Sequence, residues 1–454
     1  MTFGEMVALF ATRAGLRKVQ GVAEAADARS LKGLAIGGQT VVVTGTSITQ
    51  AMGFTDNVIT QFDLSPDVWA NALMGGRFTF LNNAAVGGTK SDTLLANLPS
   101  KVLAYKPDWC WMESGANDAN SSTGTSAEII AAYKANMSAA IEMCLSAGVR
   151  PLYKTITPTL SSNTSWSAER VGRVNAMNAW IRSLPTTYPG LVVADCAAAM
   201  VDPTSATGQP KSGYLQADDG IHPSHKGAYY MALAIKDALE NITPKVPRLV
   251  ASVADAYGYN ARSLQMFANP LFTTTTGGTN STSGVVTGAI PGTCQLLKSG
   301  TWGASYAASD TVARPDGCGN DWRVAVTNTG ANDDNLSMSS ANMNTLFAAG
   351  DRVFATASVS VSGLAQWKGA GFFIEQLVGS TTYRASALER ATNDDAAAAV
   401  GAFLQTDHEM TLVTGVLTML EGFTSFNWRL RPRWIAASGT GVVKIGRVGI
   451  WKIA

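Results

Sequence analysis

From residue 40 to residue 243, short apolar runs alternate with stretches of helical periodicity, and that alternation leaves few folds open. Thr40–Thr44 is a β-branched run, and Phe78–Leu81, Trp109–Met112, Leu152–Ile156 and Leu191–Ala194 are runs of the same kind. Between and after them lie Asp92–Tyr105, Ser126–Ser146, Ser167–Leu184 and Lys226–Asn241, each with the spacing of a helix. The second of these opens with Thr125-x-x-Glu128, a capping-box spacing, and sets Ile129, Tyr133, Met137, Ile141 and Leu145 four residues apart, an apolar stripe facing a core. Strand and helix in strict alternation imply a parallel sheet covered on both faces.

Beyond Pro244 and Pro247 the pattern changes. Turns rich in Thr, Ser and Gly separate period-two strands such as Val353, Ala355, Ala357, Val359 and Val361, and Thr273–Gly284 reads as a turn or linker segment. Helical periodicity is almost absent here, apart from an Ala-rich patch at 395–399. This half reads as a β-sandwich, a jelly roll. Four parts result: a helical lead-in over 1–37, an α/β domain over 38–245, a linker over 246–268 and a carbohydrate-binding-like β-sandwich over 269–454. A chain of 454 residues is long enough for two or three domains, and 46% apolar against 15% charged residues supplies their cores.

With 34 Lys and Arg against 33 Asp and Glu, and no basic cluster, the chain lacks the cationic excess of a nucleic-acid binder. The segment Met1–Glu5 lacks a basic n-region and apolar h-region, so no secretory signal is expected, and no run reaches the roughly 18 apolar residues of a membrane span. Of the five cysteines, Cys110, Cys144 and Cys196 lie in apolar segments and read as buried thiols. Cys294 and Cys318 read as free thiols, with pairing between them as the alternative. No motif calls for a metal or an organic cofactor.

Only three histidines, His222, His225 and His408, are available as a general base. His222 closes the run Asp219-Gly220-Ile221-His222-Pro223, where the Asp can fold back on one turn and orient the imidazole through Nδ1–H, leaving Nε2 as base. DxxH also arises by chance, and a solvated turn is the plain alternative. His225 lacks that spacing and reads as a surface histidine beside the site. Ser47, in Val43-Thr44-Gly45-Thr46-Ser47-Ile48-Thr49, follows the first strand at the carboxyl edge of the sheet, where open α/β folds place their sites. Taken alone, Ser47 reads rather as an N-cap. Thr49 rules out the G-x-S-x-G elbow of α/β-hydrolases.

Four blocks in order carry a resemblance. Gly45-Thr46-Ser47-Ile48-Thr49, Asn82-x-Ala84-x-x-Gly87-x-Thr89-x-x-Asp92, Gly115-Ala116-Asn117-Asp118 and Asp219-x-x-His222-Pro223, with Gly227 following, resemble the conserved blocks of SGNH (GDSL-like) hydrolases over about residues 38–243. The resemblance implies a three-layer α/β/α, flavodoxin-like domain and a carboxylic ester hydrolase. It also implies a triad of Ser47, Asp219 and His222, with the Ser47 and Gly87 N–H groups and the Asn117 amide as oxyanion donors. Gly88 competes with Gly87 for that role. Two positions depart from the pattern: Thr46 stands where the family has Asp, and Ala84 where it often has Gly. The tetrapeptide Gly330-Ala331-Asn332-Asp333 repeats the third block within the β-rich half and reads there as a turn.

The β-rich half holds Trp302, Trp322, Trp367, Trp428, Trp434 and Trp451, which are either sugar-stacking platforms or core. Trp428, Leu430 and Trp434 alternate with Arg429, Arg431 and Arg433, as an in/out strand would, which favours core. Asn269–Phe272, the Thr/Gly-rich run and Arg323–Thr327 resemble C-terminal modules of phage tail-fibre and tailspike proteins. That resemblance implies an O-acetyl esterase acting on a bacterial surface polysaccharide, a homotrimer among other virion tail proteins, and a virion or extracellular location. A lipase- or thioesterase-like hydrolase of small acyl esters, and a non-catalytic glycan-binding tail protein, are the alternatives.

Overall fold

The computed structural model describes residues 38–51, 53–55, 58–255, 264–282, 286–299, 306–328, 334–389, 403–434 and 439–453. The lead-in at 1–37, the Ala-rich patch at 395–399, Trp302 and the whole of the second Gly-Ala-Asn-Asp tetrapeptide lie outside these residues.

The α/β domain is laid out in chain order as β1 (Gln39–Thr44), α1 (Ser47–Gln50), a hairpin of β2 (Gly53–Thr55) and β3 (Val58–Thr60), α2 (Pro66–Leu73), β4 (Phe78–Asn83), α3 (Ser91–Lys101), β5 (Trp109–Met112), α4 (Ala116–Ala119), α5 (Ser126–Ser146), β6 (Arg150–Lys154), α6 (Ala168–Thr187), β7 (Val192–Ala194), α7 (Cys196–Met200) and α8 (His225–Leu239). The sheet is parallel with order β4-β1-β5-β6-β7. Alternation along β1 divides its side chains between two layers. Val41 and Val43 pack with Trp69 of α2 and Met231 and Ile235 of α8, whereas Val42 packs with Leu94, Tyr133 and Met177 from α3, α5 and α6. The sheet is therefore covered on both faces, as the run of fully apolar strands requires. Chain order reverses between β1 and β5, and at such a switch point the loops beyond the strand ends open a crevice.

Helix α5 begins with the capping box read in the sequence: Thr125 accepts from the Glu128 N–H and Glu128 reaches back to the Thr125 N–H. Helix α2 and the β2–β3 hairpin carry no comparable long-period signal in the sequence. Asp67 and Asn71 interrupt the apolar pattern of α2 and Ser65 caps it, each buried and hydrogen-bonded to a specific partner.

The C-terminal half is a sandwich of two sheets. One runs β10 (Val286–Gly288), β12 (Tyr306–Ala313), β13 (Asn320–Asn328), β21 (Gly439–Ile453), β15 (Arg352–Ala365), β18 (His408–Val413). Two short strands extend it, β8 (Leu264–Gln265) beside β21 and β19 (Leu417–Thr418) beside β15. The other sheet runs β17 (Thr381–Ala387), β16 (Trp367–Val378), β20 (Phe423–Trp434), β14 (Asp334–Ser340), β11 (Cys294–Ser299), β9 (Thr279–Asn280). The inner faces meet through Trp322 and Trp428, whose rings lie 6.5 Å apart edge to face. The period-two residues of β15, Val353 through Val361, are all at most 2% exposed. Trp322, Trp367, Trp428, Trp434 and Trp451 share that burial, so these five are core rather than sugar platforms. Truncating one to Ala would cost about 3–5 kcal/mol.

In the stretch expected as a linker, Arg248 and Val250 are packed down, whereas residues 251–254 are exposed. Arg248 Nε donates to the Gly76 carbonyl at 2.6 Å, and Val250 is buried against Phe354 and Trp451. All five cysteines are free, and Cys294 is buried while Cys318 is partly exposed. Among the described residues no helix is long and apolar enough to cross a membrane.

Candidate active site

Ser47 stands at the first position of α1, directly past β1. The N-cap is Thr46, whose hydroxyl accepts from the Ile48 N–H, so Ser47 is not itself the cap. At that position the Ser47 N–H has no acceptor within the helix. Gly45 is fixed by close approach: a Cβ there would lie 2.7 Å from the Glu113 carbonyl and 2.8 Å from Thr49 Oγ1. The turn rests on a buried carboxylate at the end of β5. Glu113 Oε2 accepts from the Thr46 N–H at 3.1 Å, the Thr46 hydroxyl at 2.8 Å and the Thr49 hydroxyl at 3.4 Å. Burial pushes the Glu113 carboxyl upward, against the pull of Lys154 and the Thr46 hydrogen bonds. The departure at Thr46 is thus absorbed locally, by a hydroxyl that caps α1 and bonds to Glu113.

His222 reaches Ser47 from 175 residues away. Its Nε2 lies 2.7 Å from Ser47 Oγ, and its Nδ1 hydrogen-bonds to Asp219 Oδ2. Asp219 Oδ1 accepts the Ile221 and His222 N–H groups at 2.8 and 3.0 Å, so the DxxH turn is closed on its own carboxylate. Partial burial works upward on Asp219, but the hydrogen bond and charge of the His222 ring, together with these two amides, outweigh it and the net shift is downward. Gly220 adopts φ +66°, and a Cβ there would lie 2.9 Å from Leu160 Cβ. The segment 160–166 clamps the turn: Leu160 N–H donates to the Gly220 carbonyl at 2.9 Å, and the Asn163 amide donates to the Asp219 carbonyl. The side chains of His222 and Asp219 are each 34% exposed, which leaves the site open to solvent.

The remaining blocks converge on the same rim. The Val86 N–H donates to the Gly45 carbonyl at 3.0 Å, stitching the second block to the turn that carries Ser47. A Cβ on Gly87 would lie 3.6 Å from Ser47 Cβ, while one on Gly88 would meet nothing within 4 Å, so Gly87 is the glycine beside Ser47. Asn117 Nδ2 donates to the Thr89 carbonyl at 2.8 Å, which ties the third block to the second. Asp118 is buried and accepts from the Ser91 N–H and hydroxyl, fixing the start of α3, whereas Asp92 is exposed and accepts from its neighbour Thr93. The Gly87 N–H is already satisfied: it donates to Gln50 Oε1 at 2.8 Å.

The surface position expected for His225 is corrected by the structure. His225 is 3% exposed and sits where the two domains meet. Its Nδ1 accepts the Leu404 N–H at 3.1 Å, its Nε2 lies 3.5 Å from Asp63 Oδ2, and its ring meets Trp69 edge to face. It does not reach Ser47, because it is the first residue of α8 and points back into the interface.

Residues 43–229 match the GDSL-like Lipase/Acylhydrolase family. The matched segment runs from the Ser47 turn past the DxxH motif. No curated protein matches the chain. Among solved structures, the chain is similar to the lipase/acylhydrolase from Enterococcus faecalis, at 24% identity over 45% of this chain and 97% of that one, TM-score 0.36. It is similar to a GDSL-like lipase from Bacteroides thetaiotaomicron at 16% identity, covering 49% of this chain and 98% of that one, TM-score 0.34. A mutant acetyl-xylooligosaccharide esterase from Geobacillus Stearmophilus aligns at 16% identity over 45% of this chain and 95% of that one, TM-score 0.34.

Proposed function

We propose that the chain is a serine esterase whose GDSL-like domain hydrolyses acyl esters, in particular O-acetyl esters on a carbohydrate. The observation that carries this reading is the continuous relay from Ser47 Oγ through His222 to Asp219. His222 Nε2 takes the proton as Ser47 Oγ attacks the ester carbonyl, and Asp219 holds the ring and stabilises the imidazolium. In this reading the Ser47 and Gly87 N–H groups and the Asn117 amide, whose Nδ2 is held by the Thr89 carbonyl, stabilise the developing negative charge. His222 then delivers its proton to the departing alcohol, and a water activated by the same nitrogen releases the acyl group.

The openness of the relay suits a polymer-borne ester better than a long acyl chain, which needs an enclosed apolar tunnel. In this reading the substrate is a bacterial surface polysaccharide, the chain works as part of a phage tail, and it assembles as a trimer. Turnover of p-nitrophenyl acetate against p-nitrophenyl octanoate, in wild type and Ser47→Ala, tests the chemistry. Ser47-dependent acetate preference, followed by acetate release from acetylated polysaccharide, is the expected result. Octanoate preference would favour a lipase-like enzyme, and no Ser47-dependent turnover would leave a glycan-binding protein.

A further inference from the structure

Helix α1 presents two residues to the Gly87 loop, not one. Ser47 and Gln50 are three apart, so they share a face of the helix. The backbone of Gln50 is held in the helix, its N–H donating to the Thr46 carbonyl at 3.0 Å, while its side chain reaches 37 residues along the chain to Gly87. Because an amide N–H can only donate, the atom facing Gly87 must be the carbonyl oxygen of the Gln50 amide. That oxygen and Ser47 flank one spot: a Cβ on Gly87 would lie 2.6 Å from Gln50 Oε1 and 3.6 Å from Ser47 Cβ.

We propose that Gln50 is a built-in competitor for the oxyanion seat, its amide carbonyl standing where the carbonyl of an ester would accept the Gly87 N–H. This rests on the reading of Ser47 and Gly87 as parts of an esterase site. An amide carbonyl is a neutral acceptor of the same shape as an ester carbonyl, so it keeps the Gly87 donor satisfied and its loop in place in the free enzyme. Gln50 is exposed and only its tip is engaged, so it can swing into solvent without disturbing α1. Binding then requires one exchange: the Gly87 hydrogen bond passes from Gln50 to the substrate, and Gln50 is rehydrated. Gln50 lowers the fraction of enzyme ready to bind, which raises KM by the inverse of that fraction.

The test compares the full chain with its Gln50→Ala and Gln50→Glu variants, by p-nitrophenyl acetate kinetics and by the amide signal of Gly87 in 15N-glycine-labelled protein. With the competitor removed, Gln50→Ala is expected to lower KM about threefold to tenfold, the gain confined to KM. Gln50→Glu, a charged and stronger acceptor, is expected to raise KM. The Gly87 amide proton should move upfield in Gln50→Ala as its hydrogen bond to the side chain is lost. An unmoved Gly87 signal, or a tenfold fall in kcat at constant KM in Gln50→Ala, would overturn the proposal. A wild type without Ser47-dependent turnover would overturn the esterase reading and the competitor with it. The Gly87 signal tells that failure apart from a missing Gln50 contact, because it needs no turnover.

Discussion

Lys154 and Asp67 form an ion pair of 2.8 Å in which both side chains are fully buried, beneath the turn that carries Ser47. Lys154 also donates to Thr49 Oγ1 at 3.2 Å, and through Thr49 and Glu113 the pair is linked to Thr46. One strand end, one helix and the nucleophile turn are thus fastened by a single polar network in the low-dielectric interior. Removing one partner of such a pair strands the other charge. Asp67→Ala should therefore cost about 3–5 kcal/mol of stability, and replacing both, as in Asp67→Ala with Lys154→Met, should cost less than the single change. Urea unfolding measures both; a double variant weaker than Asp67→Ala would contradict the account.

Glu113 makes the stability of the fold pH-dependent in a specific direction. Burial lifts its carboxyl above the ordinary value of 4.5, so the folded chain binds that proton more tightly than the unfolded chain does. Stability from this group is greatest at low pH and declines as pH rises from 4.5 through the raised folded value. Its second oxygen, Oε1, is buried without a hydrogen-bond partner, which leaves the ionised form poorly compensated. Glu113→Gln cannot ionise, so the difference in melting temperature between wild type and variant should move steadily in the variant's favour across that range. Parallel curves would show that Glu113 does not titrate as described.

Asp219 fixes the His222 ring rather than sharing its proton. Asp219→Asn should lower kcat by about four orders of magnitude, since an amide can face Nδ1 in a way that favours the wrong tautomer. Asn117→Ala should lower kcat by about 10²–10³, the usual effect of losing one oxyanion donor. Steady-state kinetics on p-nitrophenyl acetate read both. A loss confined to KM would show that Asp219 does not orient the base, or that Asn117 does not hold the oxyanion.

The two neighbouring histidines should separate activity from stability. His222→Ala should abolish turnover and leave folding nearly intact, because its side chain is 34% exposed. His225→Ala removes a buried ring and leaves the Leu404 N–H without its acceptor, so it should cost about 2–4 kcal/mol while the folded fraction keeps most of its activity. Thermal unfolding and initial rates, measured on the same preparations, distinguish them. Loss of turnover in His225→Ala at full folding would contradict the assignment.

The sheet was legible because its strands are short apolar runs of β-branched and aromatic residues, and the sandwich because β15 alternates without interruption. DxxH spacing and the count of three histidines point to Asp219 and His222 alone; Ser47 comes from the resemblance of its block, and the structure brings the three side chains into hydrogen-bond contact. What escaped were long-range polar contacts. Gln50 and Gly87, Asn163 and the Asp219 carbonyl, and Glu113 with Thr46 are brought together by the fold and share no spacing rule. The i, i+3 relation of Ser47 and Gln50 was the one local hint. His225 was misplaced because a lone histidine near a motif resembles a solvated neighbour, and nothing nearby in sequence announces Leu404 or Asp63. Pattern reads faces of helices and strands; it does not read which polar tips meet across them.

Covalent trapping tests the central claim most directly. Treated with a fluorophosphonate ester at neutral pH, the full chain should gain one adduct, located by mass spectrometry on Ser47, and the His222→Ala chain should react far more slowly. An adduct on another residue, or equal labelling of Ser47 with and without His222, would contradict the relay on which the proposed esterase depends.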